Sequence, residues 1–212
     1  MFKDHNPLIN RWSQRNFSNF KDTVMFVALS VKTPFHTMNK QMEDYRVRGL
    51  DSKYVWGFKK DTLIWLNANG YELYTKLMEL KDAKFGSGRG LADNTERDKR
   101  MMALLVEVPG LGLAKAGFVM QMVFGRVGCI DIHNLRRLRT VSVKDVQFTK
   151  IATDKTKLKK IDNYVSICKH NNSTHRLWDQ WCEQLTQKQC NRGRFESGND
   201  VSRYHVTALM GI

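Results

Sequence analysis

The apolar residues of the chain recur mostly at intervals of three and four positions, which is the spacing of an amphipathic helix. The pattern is clearest in DTVMFVALSV (22–31) and DTLIWLNANGYELYTKLMEL (61–80), where Asp22 and Asp61 are predicted to be N-caps. Strand-like alternation is scarce, and VSVKDVQF (141–148) is the best candidate strand. The chain is therefore predicted to be all-α, with helices over 22–31, 35–47, 61–81, 95–107, 113–124, 132–139, 157–170, 173–188 and 199–209.

Length and composition are typical of a globular chain. The protein has 212 residues and a mean hydropathy of -0.49, and it can bury the core of one domain or of two small lobes. No apolar run approaches the roughly 18 residues that span a bilayer. The first residues, MFKDHNPLINRWSQRNF, lack the apolar core of a signal peptide. We therefore expect a cytoplasmic protein with no membrane partner.

The chain is strongly basic. Its 35 Lys and Arg against 21 Asp and Glu give a net charge of +14, which is spread along the sequence and not gathered in one tail. A surplus of this size favours a polyanionic partner such as nucleic acid, because each bound phosphate releases counterions. A well-solvated surface is the alternative interpretation of the charge alone.

Neither the cysteines nor the glycine-rich stretch predicts a cofactor. The four cysteines, at 129, 168, 182 and 190, include no CxxC pair, so a zinc site is weakly supported and reduced thiols are expected. The stretch FGSGRG (85–90) lacks the GK[ST] ending of a phosphate-binding loop, and no predicted strand precedes it. It is interpreted as a connector near DNA.

The most informative segment is residues 97–139, which contains a predicted helical hairpin. One helix is predicted to end at Val108, the residues PGLG form a tight turn, and a second helix begins at Leu113. Pro109 fixes its own φ and stops the first helix. An ordinary glycine turn between two helices is the alternative to a functional one.

The glycines of this turn suit a phosphate. Gly110 and Gly112 permit positive φ and bring bare backbone close to a ligand. The second helix then starts with backbone N–H groups that have no intrahelical acceptor, at the positive end of the helix dipole. These groups belong to Gly112, Leu113 and Ala114.

Asp131 is the second candidate feature of this segment. It lies 22 residues after Pro109, in CIDIHNLRRL, between small or apolar residues and a basic helix. A carboxylate in this place is either the N-cap of the following helix or a group directed into a cleft. The residues alone leave both interpretations open.

Together, VPGLG, KAGFV, FG and IDIHNLRR resemble the helix-hairpin-helix DNA glycosylase superfamily, the group of endonuclease III and the adenine mismatch glycosylase. The pattern of that family is LPGVG, an alanine-rich helix start, FG, a loop and VDxHxxR. The match is close over about 40 residues and looser over about 110, where FVALSVKTPFHTMNKQM is similar to the family's LLSxQ helix and its successor.

The resemblance implies an all-α fold of two lobes with a DNA cleft between them. Residues 24–135 would form a helical barrel lobe that carries the helix-hairpin-helix (about 97–124). Residues 1–23 and 136–212 would form the second lobe. Double-stranded DNA would be the partner of a monomer, in the cytoplasm of a bacterium or of a phage-infected cell.

The resemblance also implies a reaction, cleavage of the N-glycosidic bond of a damaged, mismatched or modified base. Asp131 would be the catalytic carboxylate, which stabilises positive charge on the sugar or activates the nucleophile. The target base would be flipped out of the duplex. No cofactor is expected, and no metal apart from a possible monovalent cation at the hairpin carbonyls.

Several further residues match DNA-contacting positions of the family. The hairpin positions are Gly110, Leu111, Gly112, Leu113 and Ala114. His133 matches the histidine after the aspartate, although a packing role or a hydrogen bond at the helix start suits it equally. Arg136, Arg137 and Arg139 could contact phosphate or form a solvated face.

The chain departs from the family at the Schiff-base lysine of bifunctional members, because that position is Ala114. Lys115 is rotated by roughly 100° from it on a helix and is interpreted as a phosphate contact, with a catalytic role as an alternative. Lys32 stands at the place of the glutamine in LSxQ and is a second candidate amine. We therefore expect little strand cleavage at abasic sites. The cysteines are also too few and too far apart for the family's iron–sulfur cluster, so none is expected.

Two alternatives to a glycosylase stay open. The first is a non-catalytic DNA-binding protein that keeps only the hairpin. The second is an enzyme of the same fold that acts on hypermodified bases of phage DNA. The excised base cannot be named from the sequence.

Overall fold

The structure, a computed structural model, describes residues 6–31, 33–83, 91–131, 134–135, 138, 142–148, 153–170 and 208–211. Every regular element within these ranges is helical and none is a strand, which confirms the all-α prediction. The α-helices are α1 (Asn6–Gln14), α2 (Phe17–Leu29), α3 (Met38–Arg48), α4 (Phe58–Asp82), α5 (Leu91–Leu105), α6 (Leu113–Phe124) and α7 (Asp154–His170). No described helix is both long and apolar enough to cross a membrane.

Helix α2 lies at the centre of the described core. Every residue from Thr23 to Leu29 is buried, and α2 packs against α1, α3, α4 and α6. A helix that is apolar on all sides needs neighbours on all sides, which explains why four helices surround it. Its C-terminal end, at Ser30, lies next to the hairpin between α5 and α6.

Helix α1 was not predicted, because the side that it packs with is partly polar. Asn10 donates through Nδ2 to the backbone oxygens of Gln121 (3.1 Å) and Met122 (2.6 Å). Gln14 donates through Nε2 to the oxygen of Val123 at 2.6 Å. These amides bond to carbonyls in the last turn of α6, of which that of Gln121 also accepts from the nitrogen of Gly125 at 3.1 Å. Helix α1 also packs through Ile9 and Trp12, an apolar pair at helical spacing that the prediction missed.

The prediction that Asp22 is an N-cap is wrong. Helix α2 begins at Phe17, and its N-cap is Asn16, whose side chain accepts a hydrogen bond from the backbone nitrogen of Asn19 at 2.9 Å. Asp22 lies within the helix and pairs with Arg46 at 2.8 Å. The first turn of α2 already contains Phe17 and the fully buried Phe20, so the helix begins one turn before the apolar run that was used to predict it.

The prediction that Asp61 is an N-cap is also wrong, because α4 begins at Phe58 after Gly57 and Asp61 lies in its first turn. Helix α5 ends at Leu105, before the predicted end at Val108. The backbone nitrogen of Val108 bonds to the oxygen of Leu105 (3.2 Å), an i→i−3 turn that disfavours further α-helix. Pro109 also disfavours the α-helical conformation at Val108, the residue before it.

The candidate strand over 141–148 does not form within the described residues 142–148. Residues Val143–Asp145 form a 3₁₀ turn, because Ser142 and Asp145 form a reciprocal capping box. The predicted helix over 113–124 matches α6 in full. The helix predicted over 173–188 and the FGSGRG stretch lie outside the described residues, and of 199–209 only the helical end at 208–209 is described.

Candidate functional site

In the turn between α5 and α6, Gly110 and Gly112 were both predicted to permit positive φ. Only Gly110 adopts it. Gly110 adopts φ +83°, a conformation that L side chains rarely adopt. A Cβ there would also lie 2.6 Å from the ring of Phe58 and 3.0 Å from Thr62 Oγ1. Gly112 has φ −75° and forms the N-cap of α6, where a Cβ would meet nothing within 4 Å. The shape of the turn therefore requires glycine at position 110. At position 112 a side chain would have room.

Helix α4 anchors this turn. Thr62 Oγ1 donates to the backbone oxygen of Pro109 at 2.6 Å and also to that of Phe58 at 2.8 Å. The backbone nitrogen of Leu111 bonds to the oxygen of Val108 at 3.0 Å. Because the carbonyl of Pro109 is held by a side chain, the turn has a fixed position relative to the first turn of α4.

The N-terminus of α6 faces solvent. Gly112 is exposed and supplies no side chain to cap the helix. The first helical donors are the nitrogens of Lys115 and Ala116, both bonded to the oxygen of Gly112 (3.0 and 2.9 Å). The amides before them have no intrahelical acceptor. The side chains of Leu111 and Leu113 are buried, so these two residues can offer a ligand only backbone.

Asp131 caps the short helical turn that follows it. Its Oδ1 accepts a hydrogen bond from the backbone nitrogen of Asn134 at 2.8 Å, and its backbone oxygen accepts one from Leu135 at 2.8 Å. The buried side chain of Asn134 donates to the oxygen of Cys129 at 2.7 Å. Asp131 itself is only half-buried. The carboxylate is therefore held in one orientation at the surface of the core, with Oδ1 in the cap.

Tyr164, from α7, holds the segment before Asp131 against α6. Its buried hydroxyl donates to the oxygen of Gly128 (2.7 Å) and accepts from the nitrogen of Ile130 (2.8 Å). Gly117 of α6 makes room for this contact, since a Cβ there would lie 2.4 Å from the oxygen of Gly128. Burial raises the pKa of Tyr164 well above its usual value, so the phenol stays protonated and can donate.

We expect Tyr164→Phe to lower the free energy of unfolding by about 1–3 kcal/mol, because it leaves a buried carbonyl and a buried N–H without the hydroxyl that pairs them. Urea denaturation measures the change. Tyr71→Phe is the matched control, because Tyr71 is 68% exposed and should change stability little. Equal stability of Tyr164→Phe and wild type would contradict the bridging role.

Two lysine amines meet at the C-terminal end of α2, beside the hairpin. Lys115 Nζ donates to Ser30 Oγ at 3.2 Å. Lys59 Nζ donates to the backbone oxygen of Leu29 at 3.2 Å and to Thr33 Oγ1 at 3.4 Å. Carbonyls at a helix C-terminus carry partial negative charge, which attracts both amines. We call this set of residues, Leu29, Ser30, Thr33, Lys59 and Lys115, the amine cluster.

The amine cluster and the Asp131 segment share an electrostatic environment. Burial raises the pKa of Cys129 to about 12, with the positive charge of Lys115 opposing and the charge of Asp131 adding to that rise. Burial and the charge of Lys115 lower the pKa of Lys59. Lys115 therefore lies close enough to act on both neighbours. Cys129 and Cys168 are buried and form no disulfide within the described residues, whereas Cys182 and Cys190 lie outside them.

The predicted site residues are only partly described. The hairpin residues 110–115 and Asp131 are placed, whereas Lys32, His133, Arg136, Arg137 and Arg139 lie outside the described residues. Sequence reasoning missed Lys59 and Tyr164. Nothing in the local sequence distinguishes them from a surface lysine and a core tyrosine, since both act through contacts distant along the chain.

Comparisons with known proteins add no relative, because no family model, no curated protein and no solved structure matches the chain. Among the described residues, no group of three or more His, Cys, Asp or Glu side chains could hold a metal ion.

Proposed function

We propose that this protein is a DNA glycosylase that hydrolyses the N-glycosidic bond of a damaged, mismatched or modified base in duplex DNA. One observation carries the proposal: a half-buried, oriented carboxylate and an exposed helix N-terminus are attached to the same helix, α6. Gly112 begins α6 at the solvent, and Gly117, on the same helix, packs against the segment that leads to Asp131. The amides that would bind phosphate and the carboxylate that would stabilise charge on the sugar are thus held at a fixed distance from each other.

In this proposal the backbone amides at the start of α6 bind a phosphate of the strand that carries the target base. The base is flipped out of the duplex, and Asp131 stabilises the positive charge that develops on the sugar. The net charge of +14 supports a duplex partner. We further propose two lobes with the DNA in the cleft between them, and a protein that acts as a monomer without a cofactor.

The hairpin supplies no amine at the family's lysine position, because that residue is Ala114. Any covalent attack on the abasic sugar must use Lys115, the next residue, or an amine from elsewhere in the chain. Base release and strand cleavage are therefore separate questions for this protein.

A non-catalytic DNA-binding protein is the second candidate, and the capping role of Asp131 favours it. The hydrogen bond from the nitrogen of Asn134 gives the carboxylate a structural purpose without chemistry. Such a protein would bind duplex DNA through the hairpin and release no base. Base release from duplexes with defined lesions, compared between wild type and Asp131→Asn, separates the two candidates.

We expect Gly112→Asp to weaken duplex binding by about 1–3 kcal/mol, because it puts a negative charge where the phosphate should lie. The fold tolerates the change, since a Cβ at this position meets open space and Asp is a favoured N-cap. Fluorescence anisotropy at several salt concentrations gives the dissociation constants.

Gly112→Asn is the matched control for this change, because it caps the helix equally well without a charge. It should bind within a few-fold of wild type. Equal dissociation constants for the Asp and Asn variants, in folded protein, would show that DNA binds elsewhere.

A further inference from the structure

The first turn of α4 carries a lysine whose surroundings differ from those of a surface side chain. Lys59 is only 3% exposed. Its amine lies between the C-terminal end of α2 and the indole of Trp56, with Nζ 5.5 Å from the ring centroid. Lysine is rarely buried unless it is paired with an acid, and the partners recorded for this amine are two oxygens of uncharged groups.

Lys59 lies on the turn of α4 that contacts the hairpin of the candidate site. Phe58, its neighbour, packs against Gly110, and Thr62, three residues later, bonds to Pro109. Lys59 and Lys115 both donate to the end of α2, at adjacent residues. The amine thus belongs to the turn of α4 that contacts the hairpin, and it bonds to the end of α2 beside the contact of Lys115.

We propose that Lys59 is the amine that captures the abasic sugar, since the family's lysine position on the hairpin is Ala114. This assignment rests on the proposed glycosylase function, since the abasic sugar is the product of base release. It adds a third candidate amine to Lys32 and Lys115, the two that the sequence indicated.

The capture is an imine formation. The neutral Nζ attacks C1′ of the ring-opened deoxyribose aldehyde, the electron pair of the C=O bond moves to oxygen, and a proton passes from nitrogen to that oxygen. A proton from solvent converts the carbinolamine hydroxyl into water, which leaves while the nitrogen lone pair forms a protonated C1′=N bond. Water later adds back to C1′ and releases both the lysine and the aldehyde, so that the cycle needs no oxidant or reductant.

Two features of the site support this chemistry. The lowered pKa of Lys59, caused first by burial and then by the charge of Lys115, increases the neutral fraction of the amine. The indole of Trp56, which covers the amine, is itself 61% exposed. The proposal therefore requires Trp56 to move aside when the sugar reaches Nζ.

Borohydride trapping on a duplex with a preformed abasic site tests the assignment. Hydride reduces the imine to a stable amine, and the adduct is measured on a denaturing gel and mapped by mass spectrometry of its peptides. Wild type should give an adduct at Lys59, and Lys59→Arg should lower its yield at least tenfold. Arginine keeps the positive charge and can still donate to Leu29 and Thr33. If Lys59 only caps α2, the Lys59→Arg variant should therefore trap as much DNA as wild type does.

Lys60→Arg is the matched control, because Lys60 is exposed on the same turn and should trap as wild type does. If Lys59→Arg fails to fold by circular dichroism, the mapped position of the wild-type adduct decides. No wild-type adduct, or an adduct mapped to another lysine, would overturn the assignment. An adduct at Lys59 without base release from any lesion would instead overturn the glycosylase function, so the two failures are distinguishable.

Discussion

Asp131→Asn should reduce the rate of base release at least about a hundredfold while leaving duplex affinity within a few-fold of wild type. The change removes the negative charge that stabilises the developing positive charge on the sugar. It keeps the cap, because Asn accepts a hydrogen bond from the nitrogen of Asn134 as well as Asp does. Single-turnover release of the free base measures the effect of the charge alone.

The control for this prediction is Asp145→Asn, a second capping aspartate, which lies in the exposed turn after Ser142 and outside the proposed site. It should release base at the wild-type rate. If Asp131→Asn also released base at a near wild-type rate, Asp131 would be a cap and nothing more.

Gly117→Ala should lower the free energy of unfolding by about 2–3 kcal/mol and slow base release. The new Cβ would lie 2.4 Å from the backbone oxygen of Gly128 and 2.7 Å from the hydroxyl of Tyr164. Neither atom is the free end of a flexible side chain, so α6 and the segment before Asp131 must move apart. Urea denaturation and single-turnover kinetics on the same preparation measure both effects.

Gly112→Ala is the control on the same helix, since a Cβ there meets nothing within 4 Å. Gly112→Ala should lower the free energy of unfolding by less than about 1 kcal/mol, because alanine is a poorer N-cap residue than glycine. Gly117→Ala with the stability and rate of wild type would contradict the close packing of α6 on the Asp131 segment.

The sequence predicts the fold where one face of an element is apolar. Helix α6 matches its predicted limits because its apolar residues are bounded by Gly112 and Gly125, and Gly125 ends the helix in a left-handed conformation. Helix α1 was missed because its apolar pattern is short: Ile9 and Trp12 pack on the core, while Asn10 and Gln14 dock the helix through hydrogen bonds. Asp22 and Asp61 were predicted to be caps because each directly precedes an apolar run, although aromatic residues of the first turn, such as Phe20 and Phe58, lie before it.

The candidate site was predictable only as far as it is local. The PGLG turn and Asp131 are recognisable from short patterns, and the turn's geometry follows from Pro109 and Gly110. Lys59 and Tyr164 were not predictable, because what distinguishes them is contact with residues about 30 or more positions away along the chain. Burial and long-range hydrogen bonds turn these two residues from ordinary side chains into parts of the site.

The most direct test of the central claim is base release by the wild-type protein from a panel of duplexes that carry oxidised pyrimidine, mispaired adenine, alkylated base or uracil. The proposed function predicts a free base from at least one duplex, together with a strand that breaks at the lesion after alkali. It also predicts that Asp131→Asn binds the same duplex without releasing the base. Tight binding to every duplex with no base released from any would contradict the function and leave a DNA-binding protein.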